Sequence, residues 1–160
     1  KNSFVIFINL PINLHKAIKY IYSLSKIFNR LNQKTLSPSL KIKLNEIEEI
    51  ENPNNVKVIT DNQDFALYFS RSVIPYPRET SVKAEYFKHI GVYAFRKNAL
   101  LNFAKLKMQP LEIAEKIECI RYLEYGMKIK MIETDFLGVG IDVPEDLEKA
   151  RLILKNSENS

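Results

Sequence analysis

Cysteine and histidine are nearly absent from this 160-residue chain. It carries one cysteine, Cys119, and two histidines. A lone thiol forms no internal disulfide, and two histidines with one cysteine make a poor zinc set, so a disulfide-stapled secreted scaffold and a Cys/His metal site are both excluded. A reducing cytoplasm is the expected compartment. Long apolar runs are missing as well. The opening stretch FVIFINL is broken by Pro11 and Asn13, and the next apolar segment carries Lys16, Lys19 and Lys26. No run of about 18 to 20 apolar residues is left to span a bilayer, and no small-residue cleavage site follows to make a signal peptide. Basic residues outnumber acidic ones 24 to 19, but the two signs are interspersed. Without a Lys/Arg block or an interleaved aromatic stripe, nucleic-acid binding is not expected, while a net charge of +5 suits small anionic ligands. There is no internal repeat and no low-complexity segment. Hydrophobic residues make up 46% of the chain, enough for one ordinary core.

The patterning alternates between two periods. Residues 4–8 (FVIFI) read as a buried strand and 15–30 as a helix. NQKTLSPS breaks the pattern, LKIKL alternates as a short strand, and EIEEIENPNN reads as charge followed by a turn. VKVIT and FALYFSR, separated by DNQD, predict an antiparallel hairpin. Pro75 and Pro77 stiffen the next segment, SVIPYPRETS, into an arm. KHIGVYAFR (88–96) is a further strand in which Gly91 marks a bulge or a close backbone approach. Residues 97–106 predict a helix. Pro110 opens another that runs through LEIAEKIECIRYLEY to Gly126, with Ile113, Ile117 and Ile120 as its core stripe. MKIKMIET is a strand, and after DFLGVG a last helix opens at Pro144. The tail, 156–160, is polar and expected to be disordered. Strands alternating with helices, plus one hairpin, predict an α/β layer fold with a mixed sheet.

Four blocks in order, YFSRSVIPYPR (68–78), KHIGVYAFR (88–96), LEIAEKIECIRYLEYG (111–126) and GVGIDVPEDLEKA (138–150), resemble the carboxy-terminal half of the 3-deoxy-manno-octulosonate (Kdo) cytidylyltransferases. The likeness begins near Asn52, in NPNNVKVITD, and covers roughly a hundred residues. It implies a Rossmann-like nucleotide-sugar-transferase fold, used with Mg²⁺ to join CTP and Kdo into CMP-Kdo with release of pyrophosphate, in a cytoplasmic homodimer that serves lipopolysaccharide biosynthesis. The family's glycine-rich phosphate loop and its Gln-Gly-Asp-Glu-Pro motif are not present here. Residues 1–51 therefore read as a divergent or damaged remnant of the nucleotide-binding half, as truncation or a lost reading frame would leave it, and 52–155 as the sugar-binding and dimerisation portion. The chain also begins at Lys1 rather than Met, the expected mark of a piece of a longer protein. Such a piece is expected to be weakly active or inactive.

The resemblance also assigns residues. Arg71 would grip the sugar carboxylate with a bidentate guanidinium, against the plainer reading of a surface arginine at a strand end. Arg78, at the tip of the arm, suits solvent or a dimer contact. His89 and Tyr93, four apart on one strand face, would hydrogen-bond the sugar. Glu118 would accept hydrogen bonds from sugar hydroxyls, against the plainer reading of a pair with Arg121. Cys119 stands where the family often has glutamine and reads as a packing residue. Asp142 would hold Mg²⁺ at the reacting phosphate, against the plainer reading of a helix-capping carboxylate. Two other readings stay open: a noncatalytic dimerisation module, and a sialic-acid cytidylyltransferase.

Overall fold

In the computed structural model, the described residues are 4–8, 37–79, 81 and 83–134. The helix predicted over 15–30, Asp142, the helix predicted from Pro144 and the tail 156–160 lie outside them. The described elements are β1 (Phe4–Ile8), β2 (Ser37–Leu44), α1 (Ile47–Glu51), β3 (Lys57–Thr60), β4 (Ala66–Ser70), β5 (Tyr86–Arg96), α2 (Lys97–Phe103), α3 (Pro110–Glu115), α4 (Ile120–Glu124) and β6 (Ile129–Glu133).

The strands form one mixed sheet in the order β4-β3-β5-β2-β6, with β1 also paired to β5. β5 is antiparallel to β1, β2 and β3, whereas β2 and β6 run parallel. β2 belongs to the region set apart in the sequence as a remnant, yet it lies between β5 and β6 with Leu40, Ile42 and Leu44 in the core. Residues 37–51 are thus continuous with the sheet that carries the later motifs. Ser37–Ser39, read above as a break, begin the strand. Pro38 sits beside the register shift at Ser39/Leu40, and an irregularity of this kind is one of the places where a sheet tolerates a residue without N–H.

The β3–β4 hairpin forms as the pattern requires, without a glycine. Asp64 takes the left-handed conformation (φ 56°), and Asp61 Oδ1 accepts from the backbone N–H groups of Gln63 and Phe65. The turn then folds onto β6. Phe65 bridges to Lys130, Met131 N–H donates to Asp64 O at 2.7 Å, and Lys41, buried under the turn, pairs with Asp64 at 2.9 Å.

Two expectations are corrected. EIEEI is not only charge and turn, because Ile47–Glu51 form a short helix with Ile50 buried. LEIAEKIECIRYLEY is not one helix but two short ones, α3 and α4, broken at Lys116 (φ 55°). The break shifts the helical phase, so Ile117 and Ile120 reach the core while Ile113 is 49% exposed. Its cause is local. Lys116 N–H closes α3 on Glu112 O, and Glu115 is drawn onto the end of β4, where its carboxylate accepts from Ser70 Oγ at 2.6 Å and from Arg71 N at 2.9 Å. Gly126 (φ 70°) follows the C-cap residue Tyr125 of α4, in the position where a residue without Cβ ends a helix most easily.

Candidate functional site

Gly91 lies where β5 bulges. Leu40 faces Ile90 but Ser39 faces Tyr93, so Gly91 and Val92 are extra residues on the β5 side of the ladder. A bulge pulls carbonyls out of register, and the buried Ser39 hydroxyl stands 3.3 Å from Ile90 O and 3.0 Å from Val92 O to receive them. His89 Nε2 lies 2.9 Å from Ser39 Oγ. A hydroxyl has one proton to give. With that proton on a backbone carbonyl, the imidazole is the donor, and the tautomer this implies carries its hydrogen on Nε2. Burial holds the imidazole neutral by lowering its pKa to about 3. His89 packs edge-on to Phe69, with ring centroids 4.9 Å apart.

From His89 the aromatic face continues to Tyr93 at 5.3 Å and Phe95 at 5.9 Å. Phe95 stacks on Tyr122 (5.9 Å), and Tyr122 lies almost parallel to Phe103 at 4.5 Å and 12°. Between this aromatic wall and the turn that joins α3 to α4 is a pocket of about 170 Å³, lined by Tyr93, Phe95, Leu100, Phe103, Glu118, Cys119 and Tyr122. The Tyr93 hydroxyl and the buried Cys119 sulfur lie within reach of one another. Burial raises both groups, Tyr93 well above the ordinary phenol value and the Cys119 thiol to about 12, so neither ionises near neutrality. Cys119 is a packing residue here, as the sequence suggested, and not a nucleophile.

The structure therefore brings together three of the five candidate side chains. Tyr93 and Glu118 line one pocket and His89 stands behind Tyr93. Glu118 lies in the turn between α3 and α4, not on a continuous helix. Its plain alternative, a pair with Arg121, is not formed: Arg121 makes a two-pronged ion pair with the buried Glu112 instead, at 2.6 and 2.5 Å.

Arg71 is placed differently. Its Nε donates to Glu115 O at 2.8 Å and its Nη1 to Pro53 O at 3.0 Å, and it is not part of the pocket lining. It braces the chain just before the Lys116 turn that delivers Glu118 and Cys119. Arg78 is exposed on the arm. Asp142 lies outside the described residues. Sequence reasoning missed Ser39, Glu115 and Tyr122. Ser39 was hidden in a Pro/Ser stretch that reads as loop, Glu115 and Tyr122 in a pattern that reads as one helix.

Residues 16–129 match the family model described as Cytidylyltransferase. Curated relatives include the 3-deoxy-manno-octulosonate cytidylyltransferases of Christiangramia forsetii, 66% identical over 116 residues (72% of this chain, 47% of the relative), and of Flavobacterium johnsoniae, 55% identical over 133 residues (83% and 54%). The chain spans about half the length of these relatives. A solved structure of CMP:2-keto-3-deoxy-manno-octonic acid synthetase complexed with CTP superposes with a TM-score of 0.80 at 31% identity, covering 96% of this chain and 62% of that one. The family model spans most of the chain and the fold superposes on the solved structure, and the chain belongs to the cytidylyltransferase family.

Proposed function

We propose that this chain is the sugar-acid side of a CTP:Kdo cytidylyltransferase. The observation that carries the reading is the meeting of Tyr93, from β5, and Glu118, from the α3–α4 turn, in one pocket of a chain whose relatives bear that name. A carboxylate suits the hydroxyls of a polyol, and a phenol held neutral by burial serves as donor or acceptor. His89, neutral and tied to Ser39, fixes the face on which Tyr93 stands and takes no part in proton transfer. Arg71 holds the backbone ahead of Glu118.

In the reaction, the anomeric hydroxyl oxygen of the sugar acid attacks the α-phosphorus of CTP. The new P–O bond forms as the bond to the bridging oxygen breaks; pyrophosphate leaves with that electron pair, and the hydroxyl proton passes to solvent. Among the described residues no three His, Cys, Asp or Glu side chains cluster to hold a metal ion. By the resemblance, Mg²⁺ would draw on Asp142 together with substrate oxygens and water, the usual sparse protein share for this ion. When bound it supplies charge neutralisation at the reacting phosphate. The pocket residues orient the sugar and limit water around its attacking oxygen. A cytoplasmic homodimer, docked through the β3–β4 hairpin and the proline arm, is the assembly we favour. None of the described helices is long and apolar enough to cross a membrane.

Calorimetric titration with Kdo tests the reading. Wild-type chain should bind, and Glu118→Gln should lower the affinity about tenfold, or 1.4 kcal/mol. Equal affinity in the variant, or binding of N-acetylneuraminate in preference to Kdo, would refute it. Pyrophosphate release from CTP, Kdo and Mg²⁺ well above blank would rule out a purely noncatalytic module.

A further inference from the structure

Helices α3 and α4 are six and five residues long, too short to hold a position by themselves. They are first tied to one another. Arg121 of α4 grips Glu112 of α3, and Glu124 accepts from the backbone N–H groups of Leu111 and Glu112. Ile117, Ile120 and Tyr122 then pack into the core with Phe69 and Phe95 of the sheet. Apolar contact is non-directional, so it fixes the depth of this helix pair better than its slide along the sheet.

Directional contacts with the end of β4 converge on Glu115. Its Oε1 accepts from Ser70 Oγ at 2.6 Å, its Oε2 from the Arg71 backbone N–H at 2.9 Å, and its own carbonyl from Arg71 Nε at 2.8 Å. Two donors on consecutive residues thus meet the two oxygens of one carboxylate. A glutamine, with one acceptor oxygen and an amide that donates, reproduces only half of that match. Glu115 is also the last residue of α3. The left-handed Lys116 and the buried Ile117 follow it, and then come Glu118 and Cys119, which line the pocket. With so little chain between them, a shift at the clamp carries into Glu118.

We infer that Glu115 is a positioning residue for sugar-acid binding: by clamping α3 to Ser70 and Arg71 at the end of β4, it holds the Glu118 carboxylate at the pocket. Glu115 is not part of the pocket lining, so it acts through Glu118. The inference rests on the function proposed above, in which Glu118 meets the sugar hydroxyls.

The test is a double-mutant cycle read in Kdo affinity. Glu115→Gln should weaken binding about threefold while Glu118 is present, and by less than about 1.5-fold in a Glu118→Ala chain, where the group to be positioned is gone. Ser70→Ala takes one donor from the clamp without altering either helix, and should weaken binding in the same direction with the same dependence on Glu118. Leu44→Ala serves as the control for general destabilisation. It removes core volume where β2 pairs with Tyr86 at the start of β5, away from Tyr93, so it should lower the urea midpoint and leave Kdo affinity unchanged. Additive losses in the cycle, wild-type affinity in both clamp variants, or an equal loss of affinity in Leu44→Ala would overturn this inference and leave the proposed function standing. Failure of wild-type chain to bind Kdo would overturn both.

Discussion

Two junctions in this molecule are built from opposite materials. Where α3 and α4 meet the end of β4, the contacts are ionic and fully paired. Glu112, 1% exposed, is gripped by Arg121; Glu124 accepts from the backbone N–H groups of Leu111 and Glu112; Glu115 takes Ser70 and Arg71. Where β5 meets the α3–α4 turn, the contacts are mostly aromatic and neutral, and they line a pocket that Glu118 also borders. Arg71, Glu112 and Glu115, which look chemical in the sequence, are engaged with the scaffold, whereas the space a ligand can enter is lined by aromatic and neutral groups with Glu118 as its carboxylate. Charge is costly to bury without a partner, so a charged group beside a core is usually already engaged.

The contrast breaks most visibly at Glu112. Glu112→Ala would leave the guanidinium of Arg121, whose side chain is 15% exposed, over the Phe103 ring with no carboxylate. Losing one member of a buried pair should cost about 3 to 5 kcal/mol, seen as a fall in the urea midpoint at constant slope. A loss under about 1 kcal/mol would mean that this junction is no stiffer than a surface ion pair.

His89 tests the neutral side. Its folded pKa of about 3 lies below the ordinary 6.5, so between those values the unfolded chain binds the extra proton and the folded chain does not. The stability that follows is fully present above pH 6.5 and drains away as pH falls toward 3. Between pH 7 and pH 5, where most carboxylates do not yet titrate, the loss should be about 2 kcal/mol. His89→Gln, which keeps a donor toward Ser39 Oγ but cannot titrate, should flatten that slope. A variant with the same slope as wild type would show that His89 is protonated within the fold.

How far the sequence reaches depends on the kind of signal. Strands and the hairpin were legible because the short runs VKVIT and FALYFSR, rich in β-branched and aromatic residues, flank the polar DNQD. Tyr93 and Glu118 were singled out through spaced motifs, and both line one pocket. What escaped was set by long-range contacts. Helical spacing through LEIAEKIECIRYLEY carries no trace of Ser70 and Arg71, forty-five and forty-four residues away from Glu115, which draw the helix apart. Arg71 shows the converse. Its position in YFSRS resembles a ligand contact, and only coordinates reveal that Pro53 and Glu115 occupy two of its nitrogens.

Lys116 offers the finest test, because it stands on the boundary between the two junctions. Its φ of 55° is a conformation that a residue with Cβ adopts at a cost, and the Arg71 brace on Glu115 is what sustains it. Lys116→Gly removes the cost, though glycine also loosens the unfolded chain, so the net gain should be small, about 0.5 to 1 kcal/mol. Since the turn geometry is retained, Kdo affinity should not change. If stability falls instead, the lysine side chain must contribute a contact that outweighs the strain, and the break between α3 and α4 would owe less to backbone geometry than to side-chain pairing.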